Sequence, residues 1–163
     1  MAKEEYVDKD RLGCVGASYG GYSAFYLAGI HEGRFKTFIA HDGIFNTKSM
    51  FGTTEELFFV NYEWGGPYWA KENATVDKSY DDFNPMTNVD KWDTPILIFQ
   101  GEKDYRVPIG QSLEAFQAAQ LRGVKSKLVL FPEENHWVLS AQNGIVWHRE
   151  FFGWLKETLH NKS

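Results

Sequence analysis

Two rhythms of apolar residues alternate along this chain, short continuous runs and longer stretches with apolar positions every three or four residues, and glycine-bearing polar corners separate them. The runs are Leu12 to Val15, Phe35 to Ala40, Ile96 to Phe99 and Lys127 to Phe131, and they predict four strands. Ile96-Leu97-Ile98-Phe99, bounded by Pro95 and Gly101, reads as a strand covered on both faces. The helical stretches are Tyr22 to Ala28, Gly110 to Arg122 and Gln142 to Leu159. In the second, Leu113, Phe116, Leu121 and three alanines form the apolar side; in the last, Ile145, Phe152, Leu155 and Leu159 form the stripe. Strand, helix, strand predicts parallel pairs with right-handed crossovers, hence an α/β fold with about four parallel strands flanked by helices. No strand precedes Leu12, so the first strand is expected at an open edge, and the chain is expected to cover that edge by forming a homo-oligomer.

Elsewhere the rhythm is weaker. Met1 to Arg11 is a polar lead-in whose Lys3-Glu4-Glu5-Tyr6-Val7 suits the tail of a helix. Residues 44–90 form an aromatic-rich, turn-rich excursion with one short helix predicted over Thr54 to Val60. Such a segment caps a site or meets a partner.

The first strand runs into Gly16-Ala17-Ser18-Tyr19-Gly20, a Gly-x-Ser-x-Gly turn between strand and helix, which is the context of a nucleophile elbow. Gly16 and Gly20 are read as positions where a Cβ would collide with the neighbouring strand or helix. The turn pushes the Ser18 hydroxyl out at the carboxyl end of the sheet. The helix after it aims free N–H groups and its positive dipole end at the same point, and the Tyr19 N–H is one expected oxyanion donor.

Bulk properties narrow the partners. With 163 residues the chain fits one domain, and 43% hydrophobic and 17% aromatic content excludes disorder. A net charge of -5 argues against nucleic acid as a partner. No apolar run reaches the roughly 20 residues that cross a membrane, and the charged Met1 to Asp10 does not read as a signal peptide. A soluble chain is expected, from a cytoplasmic, periplasmic or secreted parent. Asn73-Ala74-Thr75 matches the glycan acceptor triplet and is read as chance. Cys14 is the single cysteine, and no spacing suits a metal site, so neither metal nor cofactor is expected.

Three predicted strands end in Ser18, Asp104 and His136, in the chain order of the α/β-hydrolases. One helix and one strand separate Asp104 from His136, so both should reach the carboxyl edge where Ser18 stands. His136 can take and return the serine proton; Asp104 can hold the imidazole in the useful tautomer. Taken singly, Asp104 suits a turn and His136 suits a half-buried histidine bonded to backbone. Three coincidences at matching strand ends favour a catalytic triad. Of the other histidines, His31 and His160 are expected as cations at helix ends, His148 as a core residue, and His41 as a neighbour of the site.

Gly16-Ala17-Ser18-Tyr19-Gly20-Gly21-Tyr22, Gly101-Glu102-Lys103-Asp104-Tyr105-Arg106-Val107-Pro108 and Glu134-Asn135-His136-Trp137 together resemble the catalytic domain of the prolyl oligopeptidase family of serine peptidases. His41-Asp42-Gly43-Ile44-Phe45-Asn46 and Trp147-His148-Arg149-Glu150 resemble its dipeptidyl-peptidase V and acylaminoacyl-peptidase-like members. The resemblance implies a peptidase acting near peptide N-termini, with Arg106 holding a substrate carbonyl and with Tyr22, Phe45 and Phe51 near the wall of the pocket for the residue before the scissile bond. It also implies that residues 1–163 are the C-terminal part of an α/β-hydrolase domain, lacking the front half of the sheet, the loop with the second oxyanion donor and a β-propeller. Loss of one such donor costs on the order of 100-fold to 1000-fold in rate, so the chain alone is expected to be weakly active or inactive. Glu55-Glu56 and Glu133-Glu134 are not read as the acidic grip on a free amino terminus. The triad does not choose between amide and ester, so an esterase or other acyl hydrolase is the alternative, and a catalytically silent binding or assembly module is another.

Overall fold

The computed structural model describes residues 4–160. At its centre, β1 (Gly13–Ala17), β2 (Thr37–His41), β3 (Ile96–Gly101) and β4 (Ser126–Phe131) form a wholly parallel sheet in the order β1-β2-β3-β4. The helices are α1 (Tyr19–Ala28), α2 (Thr47–Thr53), α3 (Leu57–Glu63), α4 (Ala74–Asp77), α5 (Gly110–Leu121) and α6 (Ala141–Leu155). Side chains alternate across each strand, so Phe38, Ala40, Ile96 and Ile98 face one side of the sheet and pack with Ala24, Phe25 and Ala28 of α1 and Ala115 and Ala119 of α5. Ile39, Leu97 and Phe99 face the other side and meet Trp154, Trp147 and Phe151 of α6. Each large side chain so covered contributes about 1.5–3 kcal/mol.

Both long helices match the expected faces only in part: in α5, Phe116 and the three alanines pack inward as expected. In α5, Leu113 and Leu121 are exposed, while Gln111, Ser112, Ala115 and Ala119 are buried. The polar pair goes inward because each finds partners there: Gln111 Oε1 accepts from the Phe45 and Asn46 N–H groups, and Ser112 Oγ donates to Gln100 Oε1 at 2.6 Å. In α6, Ile145 and Phe152 are exposed. The indole N–H groups of Trp154 and Trp147 donate to Thr37 Oγ1 and His41 Nδ1, bonds available only with the tryptophan face inward. Leu155 packs as expected.

Residues 44–90 are more ordered than their pattern suggested. They hold α2, α3, α4, a π-helical turn over Lys78–Asp82 and a 3-10 turn over Pro85–Lys91. Their apolar residues pack mainly on one another, with Ile44, Met50, Val60, Trp64, Val76 and Tyr80 in a core of their own, so no single helix carries a periodic stripe. Residues 4–11 form turns rather than a helix tail, and Lys3 lies outside the described residues.

Candidate active site

Ser18 sits between β1 and α1 with φ 56° and ψ -118°, a left-handed conformation that a residue with a Cβ adopts at a cost of order 1–3 kcal/mol. Its N–H donates to His41 O and its C=O accepts from Tyr22 N, so neighbouring backbone holds the turn in place. A Cβ on Gly16 would lie 2.0 Å from Gly20 O; a Cβ on Gly20 would meet nothing within 4 Å. The close approach therefore requires glycine at position 16 only, and Gly20 takes part through its backbone. Tyr19 opens α1, so its N–H has no carbonyl within the helix to bond.

His136 and Asp104 converge from β4 and β3. Nδ1 of His136 lies 2.6 Å from Asp104 Oδ2, and because an ionised carboxylate only accepts, Nδ1 carries the proton. The other carboxylate oxygen accepts from the Arg106 and Val107 N–H groups, both at 2.9 Å, which aims the Asp104 side chain. Gly101 lets the two loops meet, since a Cβ there would stand 2.1 Å from Asn135 O. The bond to Asp104 holds the His136 pKa above its ordinary value, with burial pulling the other way.

Ser18, Tyr19, Arg106 and His136 line one cavity of about 760 Å³, together with His41, Met50, Glu56, Phe59 and Trp137. Ser18 lines the cavity, and among the described residues its Oγ makes no hydrogen bond to protein. Arg106 is engaged: its Nε lies 2.7 Å from Glu56 Oε1, and its guanidinium stands 5.2 Å over the Trp137 ring. Glu55-Glu56 thus neutralises Arg106 at the rim. Glu134, also set aside as a grip, is 4% exposed and accepts from Leu139 N, Ser140 N and Asn143 Nδ2. It closes the turn that carries His136 and ties it to the start of α6.

None of the three expected wall residues lines the cavity. Phe45 is buried between Phe25 and Trp92 in the core beneath the sheet, because its backbone is pinned by Gln111 and its ring fills that space. Tyr22 lies 5.0 Å from the Tyr19 ring, but its hydroxyl donates to Phe83 O and burial pushes its pKa to about 12. Phe51 packs on Tyr68, Trp69 and Tyr80. Three of the other histidines also differ from expectation. His31 is buried, bonded to Phe35 N and Thr94 Oγ1, and its pKa is lowered by burial, so it is no helix-end cation. His148 is exposed and bonded to Gly144 O; His160 accepts from Arg11.

Asp42, at the end of β2, was absent from the expected site. It is fully buried at φ 46°, and its Oδ1 accepts from Gly101 N at 3.0 Å. Among the described residues a single group of metal-capable side chains comes together, Asp42, Asp104 and His136, with one ligand atom each within 4.8 Å of one another. His136 Nδ1 and Asp104 Oδ2 are already joined by a proton, an arrangement suited to holding that proton rather than a cation. No described helix is long and apolar enough to cross a membrane.

The sequence profile of the prolyl oligopeptidase family matches residues 1–162. The dipeptidyl-peptidase 5 of Porphyromonas gingivalis is 53% identical over 159 residues, which are 98% of this chain and 23% of that protein. The enzyme of the same name from Schizosaccharomyces pombe is 39% identical over 151 residues, 92% of this chain and 21% of that protein. Among solved structures, the acylaminoacyl peptidase of Pyrococcus horikoshii superposes with a TM-score of 0.85 at 20% identity, over 96% of this chain and 25% of its own. A puromycin hydrolase superposes at 0.86 and 20% identity, over 99% of this chain and 24% of its own. The chain spans about a quarter of the length of these relatives and shares the α/β-hydrolase architecture of the peptidases it superposes on. A match over nearly every residue, with relatives at this identity, leaves one assignment: the chain belongs to the prolyl oligopeptidase family.

Proposed function

We propose that this chain carries the chemical centre of a serine peptidase that cuts near the N-terminus of peptides. Ser18 attacks the scissile carbonyl, His136 accepts its proton and returns it to the leaving amine, and Asp104 holds the imidazole and stabilises its cation. The Tyr19 N–H donates to the oxyanion. One observation carries the reading: a strained serine and a histidine clamped by a buried carboxylate share a single cavity. The dipeptidyl-peptidase 5 relatives support the class of substrate. Arg106 is offered as the contact for a substrate backbone carbonyl once Glu56 yields it.

A fluorophosphonate probe tests the centre without needing full turnover. Wild type is expected to label on Ser18 and Ser18→Ala to stay unlabelled; equal labelling of both ends the proposal. The base works only when neutral, and its pKa is raised, so labelling should climb with pH through a midpoint above the ordinary histidine value. On the full-length parent, dipeptidyl naphthylamides should outpace N-acyl and simple ester substrates.

A further inference from the structure

Asp42 lies beside the imidazole of His136 and does not line the cavity. Its Oδ2 lies 3.9 Å from His136 Nδ1 and 3.1 Å from His41 Nε2, and no hydrogen bond in the described residues satisfies it fully. The state of His41 can be read from its other nitrogen. The Trp147 indole can only donate, and it donates to His41 Nδ1 at 2.9 Å, so that nitrogen is bare and the proton sits on Nε2, toward Asp42. A chain of contacts therefore runs from Trp147 through His41 and Asp42 to His136 and Asp104. A buried carboxylate oxygen with so little hydrogen bonding is costly unless a charge appears beside it. In the reaction proposed above a charge does appear there, on His136.

We propose that Asp42 is a positioning residue of this site, a second buried carboxylate that, with Asp104, holds the His136 ring in place and stabilises it when it is protonated. The inference rests on the reading of His136 as the general base. Asp104 supplies the direct hydrogen bond; Asp42 supplies field at a slightly greater distance, held at that distance by the Gly101 N–H and by His41. Burial first, and the charge of Asp104, push the Asp42 carboxyl above its ordinary range, so its charge is best tolerated when the ring beside it is cationic. The other charged or titratable groups around the ring are Asp104 and Arg106 from the loop after β3, Glu56 paired with Arg106, His41 from β2 and His148 from α6. Arg106 opposes the protonated ring; Asp104 and Asp42 favour it.

The test is a titration of the imidazole ring of His136 by NMR, with its signal assigned by its loss in His136→Gln. Asp42→Asn removes one of two favourable charges, so the ring should titrate at lower pH than in wild type. Fluorophosphonate labelling should follow, its rising limb moved to lower pH and its plateau reduced on the order of tenfold, less than the 100-fold to 10,000-fold a general base contributes. A purely structural Asp42 would lower the plateau and leave both midpoints in place, which would overturn the inference. Asp42→Ser carries the same test if the Asn variant fails to fold, because its hydroxyl can accept from Gly101 without aiming an amide N–H at His41. In wild type itself the Asp42 carboxyl carbon should shift through the same pH midpoint as the His136 ring; a flat response there also overturns it. The two readings fail separately. Unlabelled Ser18 with the titrations as expected removes the peptidase centre alone, and a labelled Ser18 with an unmoved His136 midpoint removes the role of Asp42 alone.

Discussion

β3 and β1 lie two places apart in one sheet, each ends in a residue of the site, and they are held in opposite ways. All six residues of β3 are buried, between neighbours on both sides and helices on both faces. Among the described residues β1 has one neighbour, and its residues alternate between exposed and half-buried, with Val15 52% exposed. Asp104 follows β3 and Ser18 follows β1. The Asp104 side of the site is thus fixed by a finished core, while His136 follows β4, a second edge strand. Ser18 follows the less supported strand, where a backbone bond to His41 and a tight glycine contact with α1 keep the turn shut.

Substitutions in the two strands should separate these halves. Phe99→Ala is expected to have the largest effect, because Phe99 is fully buried and stacks 5.1 Å from Trp147; its loss should cost about 3–5 kcal/mol in urea unfolding. Next comes Gly16→Ala. Its methyl would press on the Gly20 carbonyl and shift Ser18, and a displacement near 1 Å costs roughly 100-fold in reactivity, so fluorophosphonate labelling should fall by that order while the β3 half stays folded. Val15→Ala should be smallest, within about 0.5 kcal/mol, as for other surface changes. A cost for Val15→Ala near that for Phe99→Ala would show that β1 is as tightly held in solution as β3, and the contrast would be gone.

The four strands were legible because each is a short apolar run between glycine or proline corners, a signal that survives without knowing what it packs on. Ser18 and His136 were legible because the chemistry needs those side chains at strand ends, and strand ends could be located. Phe45 and Asp42 were not. Both follow β2 within five residues, one aromatic and one acidic, and the family resemblance suggested the aromatic for the pocket. The structure places Phe45 against Trp92 in the core and Asp42 beside His136. The difference is one of direction: a backbone at φ 46° turns residue 42 into the site, while Gln111 pins the backbone at residue 45 so that its ring faces the core.

The chain's order of apolar runs, corners and chemical groups determined a parallel α/β sheet with a serine turn, an aspartate and a histidine at its carboxyl edge, because strand period and turn chemistry are local properties. Which faces of α5 and α6 lie inward, which histidines are buried, which carboxylates stand around His136 and what Arg106 touches were decided only in three dimensions. Those outcomes depend on hydrogen-bond partners supplied by distant segments, such as His41 for Trp147 and Glu56 for Arg106, and no periodicity along the chain encodes a partner that far away.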